Sequence, residues 1–244
     1  MNNIIHRAIA ILGIATAFGG LTPAVYAVSM VNPSYPSSPT PATETNVQEL
    51  FNRGVEKTER GDLQGAIEDF DGVVRLNPSF IEAYCNRGFV RAKLGNYKAA
   101  IADFNSALRI DPHHADAYNK RGTVLAQRGN FSEAIAQFNT ALRFDANFAD
   151  AYYNRGLAHS GLGNAKAAIA DYDRAIQLQP DMAEAYGNRG NVRYGLGDRS
   201  GAINDLQKAA RIFSAQGNVP AHQQALTFLQ TIQQPSTAKP PVQP

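Results

Sequence analysis

The hexapeptide Ala83-Tyr84-Cys85-Asn86-Arg87-Gly88 returns 34 residues later as Ala117-Tyr118-Asn119-Lys120-Arg121-Gly122. It returns again as Ala151-Tyr152-Tyr153-Asn154-Arg155-Gly156 and as Ala185-Tyr186-Gly187-Asn188-Arg189-Gly190. One period upstream, Leu50-Phe51-Asn52-Arg53-Gly54 keeps the register with leucine in the tyrosine place. A fixed period of this size marks units that cannot bury their own apolar faces and must stack on their neighbours. Five copies follow without insertion, at 47–80, 81–114, 115–148, 149–182 and 183–216.

Each copy reads as two antiparallel helices. Gly61, Gly95, Gly129, Gly163 and Gly197 fall where the first helix needs a left-handed residue to stop. The second helix carries an apolar stripe at helical spacing, as in Ala100, Ile101, Phe104, Ala107 and Leu108. Pro78, Pro112 and Pro180 then forbid its continuation. A second glycine set, Gly54, Gly88, Gly122, Gly156 and Gly190, sits inside the first helices, where glycine costs about 1 kcal/mol relative to alanine. Its recurrence predicts a place where two helix backbones come too close for a side chain.

With Tyr84, Gly88, Ala100, Phe104, Ala107 and Pro112 at these offsets, the chain resembles the tetratricopeptide repeat (TPR) family. The resemblance implies an all-α, right-handed α-solenoid of five helix-turn-helix units. Departures are few: Leu50 for the first aromatic, Ala146 and Ser214 for proline, and Leu206 for the second-helix aromatic. Ser214 and Leu206 share the fifth copy, so its second helix is expected to run on differently. Residues 217–233 read as a C-terminal capping helix, with Asn218 as N-cap, Pro220 in the first turn, and Ala225, Leu226, Leu229 and Ile232 as the covering stripe. The Gln216-Gly217-Asn218 segment and the glutamines after it are similar to the ends of exported cyanobacterial TPR proteins.

The ends of the chain differ from the repeats. Residues 1–27 read as a signal peptide: His6 and Arg7, an apolar run from Ala8 to Leu21, Pro23, then Val25-Tyr26-Ala27 before a cleavage site at Val28. The alternative is an uncleaved membrane anchor, although the run is short against the roughly 20 residues of a spanning helix. Residues 28–46 are a Pro/Ser/Thr-rich linker expected to stay extended, and 234–244 a Pro-rich tail expected to be disordered. The expected location is therefore exported, in a periplasm, a thylakoid lumen or the exterior. No membrane span remains after cleavage.

Composition narrows the function. Lys and Arg number 23 against 21 Asp and Glu, so no large basic field awaits nucleic acid. A single cysteine, Cys85, excludes an intrachain disulfide and a Cys-based zinc site. His113-His114 has no second ligand pair nearby in sequence, and no phosphate loop, nucleophile elbow or zinc-binding helix motif is visible. The expectation is no catalysis, no cofactor and no metal.

Two side-chain series remain. Arg53, Arg87, Arg121, Arg155 and Arg189 are followed sixteen residues later by Asp69, Asp103, Gln137, Asp171 and Asp205. Four of these are read as structural ion pairs between the two helices of a unit, Arg53–Asp69, Arg87–Asp103, Arg155–Asp171 and Arg189–Asp205, with Arg121–Gln137 as a neutral counterpart. The competing reading is an arginine series for an anionic ligand. Before each arginine stands Asn52, Asn86, Lys120, Asn154 or Asn188. The family resemblance places these residues in a concave groove, with Phe89 and Leu157 beside them, where an amide can pair with a peptide backbone. The alternative is asparagine bridging neighbouring helices. The only cations in the inferred groove are Lys93 and Lys120, which argues against a carboxylate clamp.

These observations point to an exported adaptor or assembly factor holding an extended peptide or protein partner. A self-associating scaffold (a homo-oligomer) and a binder of envelope glycan are the alternatives.

Overall fold

The computed structural model describes residues 41–234. The signal-peptide segment, the linker before Pro41 and the tail after Gln234 lie outside the described residues. Among the described residues there are helices and no strand. They are α1 (Pro41–Glu59), α2 (Leu63–Leu76), α3 (Ile81–Lys93), α4 (Tyr97–Ile110), α5 (Ala115–Gln127) and α6 (Phe131–Phe144). The chain continues with α7 (Ala149–Gly161), α8 (Ala165–Leu178), α9 (Ala183–Gly195), α10 (Arg199–Ala215) and the capping helix α11 (Val219–Gln233). Odd-numbered helices up to α9 are the first helices of the five repeats and even-numbered ones up to α10 the second.

The first helix enters earlier than its repeat boundary. Helix α1 starts at Pro41, so residues 41–46 belong to it and not to an extended linker. Proline is tolerated there because the first turn has no use for its missing N–H.

The turns follow from local chemistry. Gly61, Gly95, Gly129, Gly163 and Gly197 adopt φ between +77° and +88°. In the second repeat the Asn96 N–H then reaches back to the Arg91 carbonyl at 2.8 Å, closing the end of the first helix. The second helices stop at Asn77, Asp111, Asp145 and Gln179, all extended, with φ from −127° to −134°. Proline follows in three of them, but Ala146 follows Asp145. There the Asp145 carboxylate accepts the Asn147 N–H at 2.9 Å, an Asx turn that ends the helix without proline. In the fifth repeat neither device is present, and α10 runs three residues longer than α8 until Gly217, at φ +71°, stops it.

The second glycine set makes room for rings rather than for backbone. A Cβ on Gly54, Gly88, Gly122 or Gly156 would stand 2.7–2.8 Å from the ring of Phe70, Phe104, Phe138 or Tyr172. Those rings are the largest fully buried side chains of the fold. In the fifth repeat Leu206 replaces the ring, and the nearest atom to a Cβ on Gly190 is the Asp205 Cβ at 3.1 Å. The expected close approach of two backbones is thus mainly an aromatic side chain seated on a bare Cα.

Neighbouring first helices approach one another more closely than neighbouring second helices do. First helices therefore line the inside of the curve, and α11 closes the end by burying Ala225, Leu229 and Ile232 against α10.

Candidate functional site

The arginine series forms a continuous spine. Arg53, Arg87, Arg155 and Arg189 donate in pairs to Asp69, Asp103, Asp171 and Asp205, with closest contacts of 2.6 Å at the last three. Arg121 donates through Nε to the Gln137 side-chain oxygen at 3.1 Å, and through Nη2 to the same atom. The four aspartates are buried, at 3–5% exposure. Each interior guanidinium also reaches back to the preceding repeat: Arg87 to Asp71, Arg121 to Asn105, Arg155 to Asn139 and Arg189 to Asp173, at 2.5–2.7 Å. It lies over the tyrosine three residues before it, Tyr84, Tyr118, Tyr152 or Tyr186, at 5.2–5.4 Å from the ring centre. The 16-residue spacing carried the first contact. The reach to the previous unit was missed, although Asp71, Asn105, Asn139 and Asp173 stand in register to announce it.

A second cation joins three of the four carboxylates, while at Asp171 the matching residue is His159, 4.0 Å away. Lys57 touches Asp69 at 2.9 Å, and Arg91 and Arg193 touch Asp103 and Asp205 at 2.8 Å. The corresponding residue beside Gln137 is Leu125. Bonding to Arg53, against the opposing effect of burial, holds the Asp69 carboxyl below its ordinary range. Arg121, without a carboxylate, has its pKa lowered by burial. The interior guanidinium groups are engaged within the protein rather than offered to a ligand.

The asparagine series divides into two halves. In the first two repeats it bonds within its own helix: Gln48 donates to Asn52 at 2.8 Å, and Asn86 donates to the Glu82 carbonyl at 2.8 Å. In the last two it crosses to the neighbouring unit. Asn154 donates to the buried Asn119 at 3.0 Å, and Asn188 donates to the Tyr153 hydroxyl at 3.0 Å. Lys120, between the halves, holds Asp116 at 2.6 Å, while Lys93 lies 5.1 Å over the Phe89 ring. Both cations of the groove are thus paired internally. Nearby, burial pushes the Asp150 carboxyl above its ordinary range, with Lys120 opposing.

Beyond the asparagines the inner face opens into a cavity of about 90 Å³ between the third, fourth and fifth first helices. It is lined by Thr123, Asn154 and Leu157 from first helices and by Phe131, Phe138 and Tyr172 from second helices. Gln127 lines it too, and both atoms of its amide are buried without a hydrogen-bond partner. Gln127 had no signal in the sequence beyond standing where Glu59 and Lys93 stand in earlier repeats.

The fold also brings Cys85 beside His114 and Asp116, with ligand atoms within 4.8 Å of one another, although their separation along the chain hid this. His114 Nδ1 accepts the Ala117 N–H as a helix cap, Asp116 holds Lys120, and burial pushes the Cys85 thiol well above its ordinary range. Those engagements compete with ligation.

Models of the TPR repeat match residues 54–95 and 122–163, and models of the tetratricopeptide repeat match 81–114 and 149–182. The chain belongs to the tetratricopeptide-repeat family. No curated protein matches it. Among solved structures, it is similar to MamA at 27% identity and TM-score 0.57, covering 68% of this chain and 96% of MamA. PilW, a widely conserved type IV pilus biogenesis factor, aligns at 22% identity and TM-score 0.62, covering 79% of this chain and 94% of PilW. YrrB, a TPR protein with an unusual peptide-binding site, aligns at 23% identity and TM-score 0.56, covering 78% and 98%. As a TPR solenoid the chain is a protein–protein interaction module. Among the described residues no helix is long and apolar enough to cross a membrane.

Proposed function

We propose that the inner face of the first helices holds an extended segment of a partner protein, and that the chain acts as an exported, non-enzymatic adaptor or assembly factor. The observation that carries this reading is the division of the asparagine series. Asn52 and Asn86 make only contacts within their own helix, so their amides are placed to meet a peptide backbone. Asn154 and Asn188 brace adjacent repeats and border the cavity, a preformed wall that costs little ordering when a partner binds. Export rests on the N-terminal sequence pattern.

A photo-crosslinking amino acid placed at Asn86 or Leu157, and at Gln177 on an exposed second-helix site, tests the reading. Adducts from an envelope extract should form at the two inner positions and not at Gln177. Equal labelling at all three would remove the inner face from consideration.

A further inference from the structure

The cavity between the third and fifth repeats is more than a dip in the inner face, because among its polar lining the Gln127 amide is left unanswered. The Gln127 amide presents a donor and an acceptor, both buried and both without a partner. A buried polar group in that state is costly until something bonds to it. The next unit is small at the matching position, Gly161, where a Cβ would stand 2.8 Å from the Phe131 ring. In the second repeat the same register position is Lys93, which is exposed and lies over Phe89. The cavity is therefore particular to this part of the solenoid.

Its size and lining restrict what can enter. At about 90 Å³ it has room for one unbranched side chain. No charged residue lines it, so an ionised end would be buried without a counter-charge. A purely aliphatic side chain would bury the Gln127 amide still unpaired. A hydroxyl places donor and acceptor on one atom, whereas a carboxamide offers an acceptor and a donor side by side, the arrangement that mirrors Gln127.

We propose that this cavity is the specificity pocket for the partner segment, and that it takes a glutamine side chain, paired amide to amide with Gln127. The apolar stem lies against Phe131 and Leu157, and the amide end meets Gln127. This rests on the inner-face reading above and adds to it the identity of the anchor.

The test uses the full chain and heptapeptide pools, randomised except for a central Gln, Leu, Glu, Lys or Tyr, in fluorescence polarisation. The glutamine pool should bind about tenfold more tightly than the leucine pool, as expected for answering a buried polar pair, and the Glu and Lys pools more weakly still. In ¹⁵N spectra the Gln127 side-chain amide signals should move with the glutamine pool. Gln127→Leu, with its melting curve as a check on folding, should reverse the order of the glutamine and leucine pools. Equal binding of all five pools to the wild type would overturn the pocket and leave the inner-face reading standing. Binding of none would overturn the inner face and the pocket with it. Gln127 signals that move with protein concentration alone would assign the cavity to a second copy of this chain and overturn the proposal.

Discussion

In the second repeat a part-buried arginine meets carboxylates, and in the third the same arginine position meets carboxamides. Arg87 bonds Asp103 and Asp71; Arg121 bonds Gln137 and Asn105 through the same set of nitrogens. The second cation changes in step, since Arg91 beside Asp103 becomes Leu125 beside Gln137. The geometry of the spine is therefore kept while its charge is adjusted unit by unit. Two guanidinium groups against two carboxylates balance in the second repeat; in the third, one guanidinium remains, bonded to neutral oxygens and lying over Tyr118. The planar donor fork of arginine links the repeats in the same geometry whether it donates to a carboxylate or to an amide oxygen. Charge adds energy but does not set the register.

The largest expected effect of that difference is on side-chain removal. Asp103→Ala leaves the part-buried Arg87 and Arg91 with only the exposed Asp71 as partner and should cost about 3 kcal/mol in urea unfolding. Gln137→Ala removes neutral bonds only and should cost about 1–3 kcal/mol. Equal losses would mean that charge contributes nothing to the spine.

Packing should not distinguish the same two repeats. Gly88→Ala and Gly122→Ala each drive a methyl against a phenylalanine ring and should lose about 1–2 kcal/mol alike, overpacking less the gain in helix propensity. Gly190→Ala, facing Leu206, should lose less. Unequal losses at Gly88 and Gly122 would trace the contrast to shape rather than charge.

Acid should separate a charged unit from the neutral one by a smaller margin. Asp69 has its native pKa held below the ordinary value by Arg53. Its contribution is complete above the unfolded pKa of about 4 and is lost as pH falls through the lower native value. Amide hydrogen exchange followed from pH 6 downward should show α1–α2 opening below about pH 4, with α5–α6, whose spine partner is Gln137, changing least. Gln137→Asp should transfer that acid sensitivity to the third repeat. Uniform acid response across the repeats would show that the spine carboxylates do not carry it.

Much of the solenoid was readable because each repeat states its own rules locally. A glycine that needs positive φ, an alternation of small and aromatic residues, and a proline or aspartate after the second helix are properties of a few neighbouring residues. The Arg–Asp pairing was also readable, since its sixteen-residue spacing lies within one unit. The glycines inside the first helices marked a tight contact correctly but not its nature: only packing shows that Phe104 and Phe138, not backbone, fill the space. The start of α1 at Pro41 escaped a compositional reading that weighed prolines above helix-compatible neighbours.

Sequence alone therefore determined the repeat, its helices and the internal contacts of each unit, because those depend on residues less than one period apart. Tertiary structure decided those contacts between units that do not recur in register. It turned Asn154 and Asn188 toward neighbouring repeats while leaving Asn52 and Asn86 on their own helices. It also placed the Gln127 amide in a cavity walled by three repeats. Such features depend on which side chains of different units are large or small at one point in space, and a periodic pattern does not contain that information.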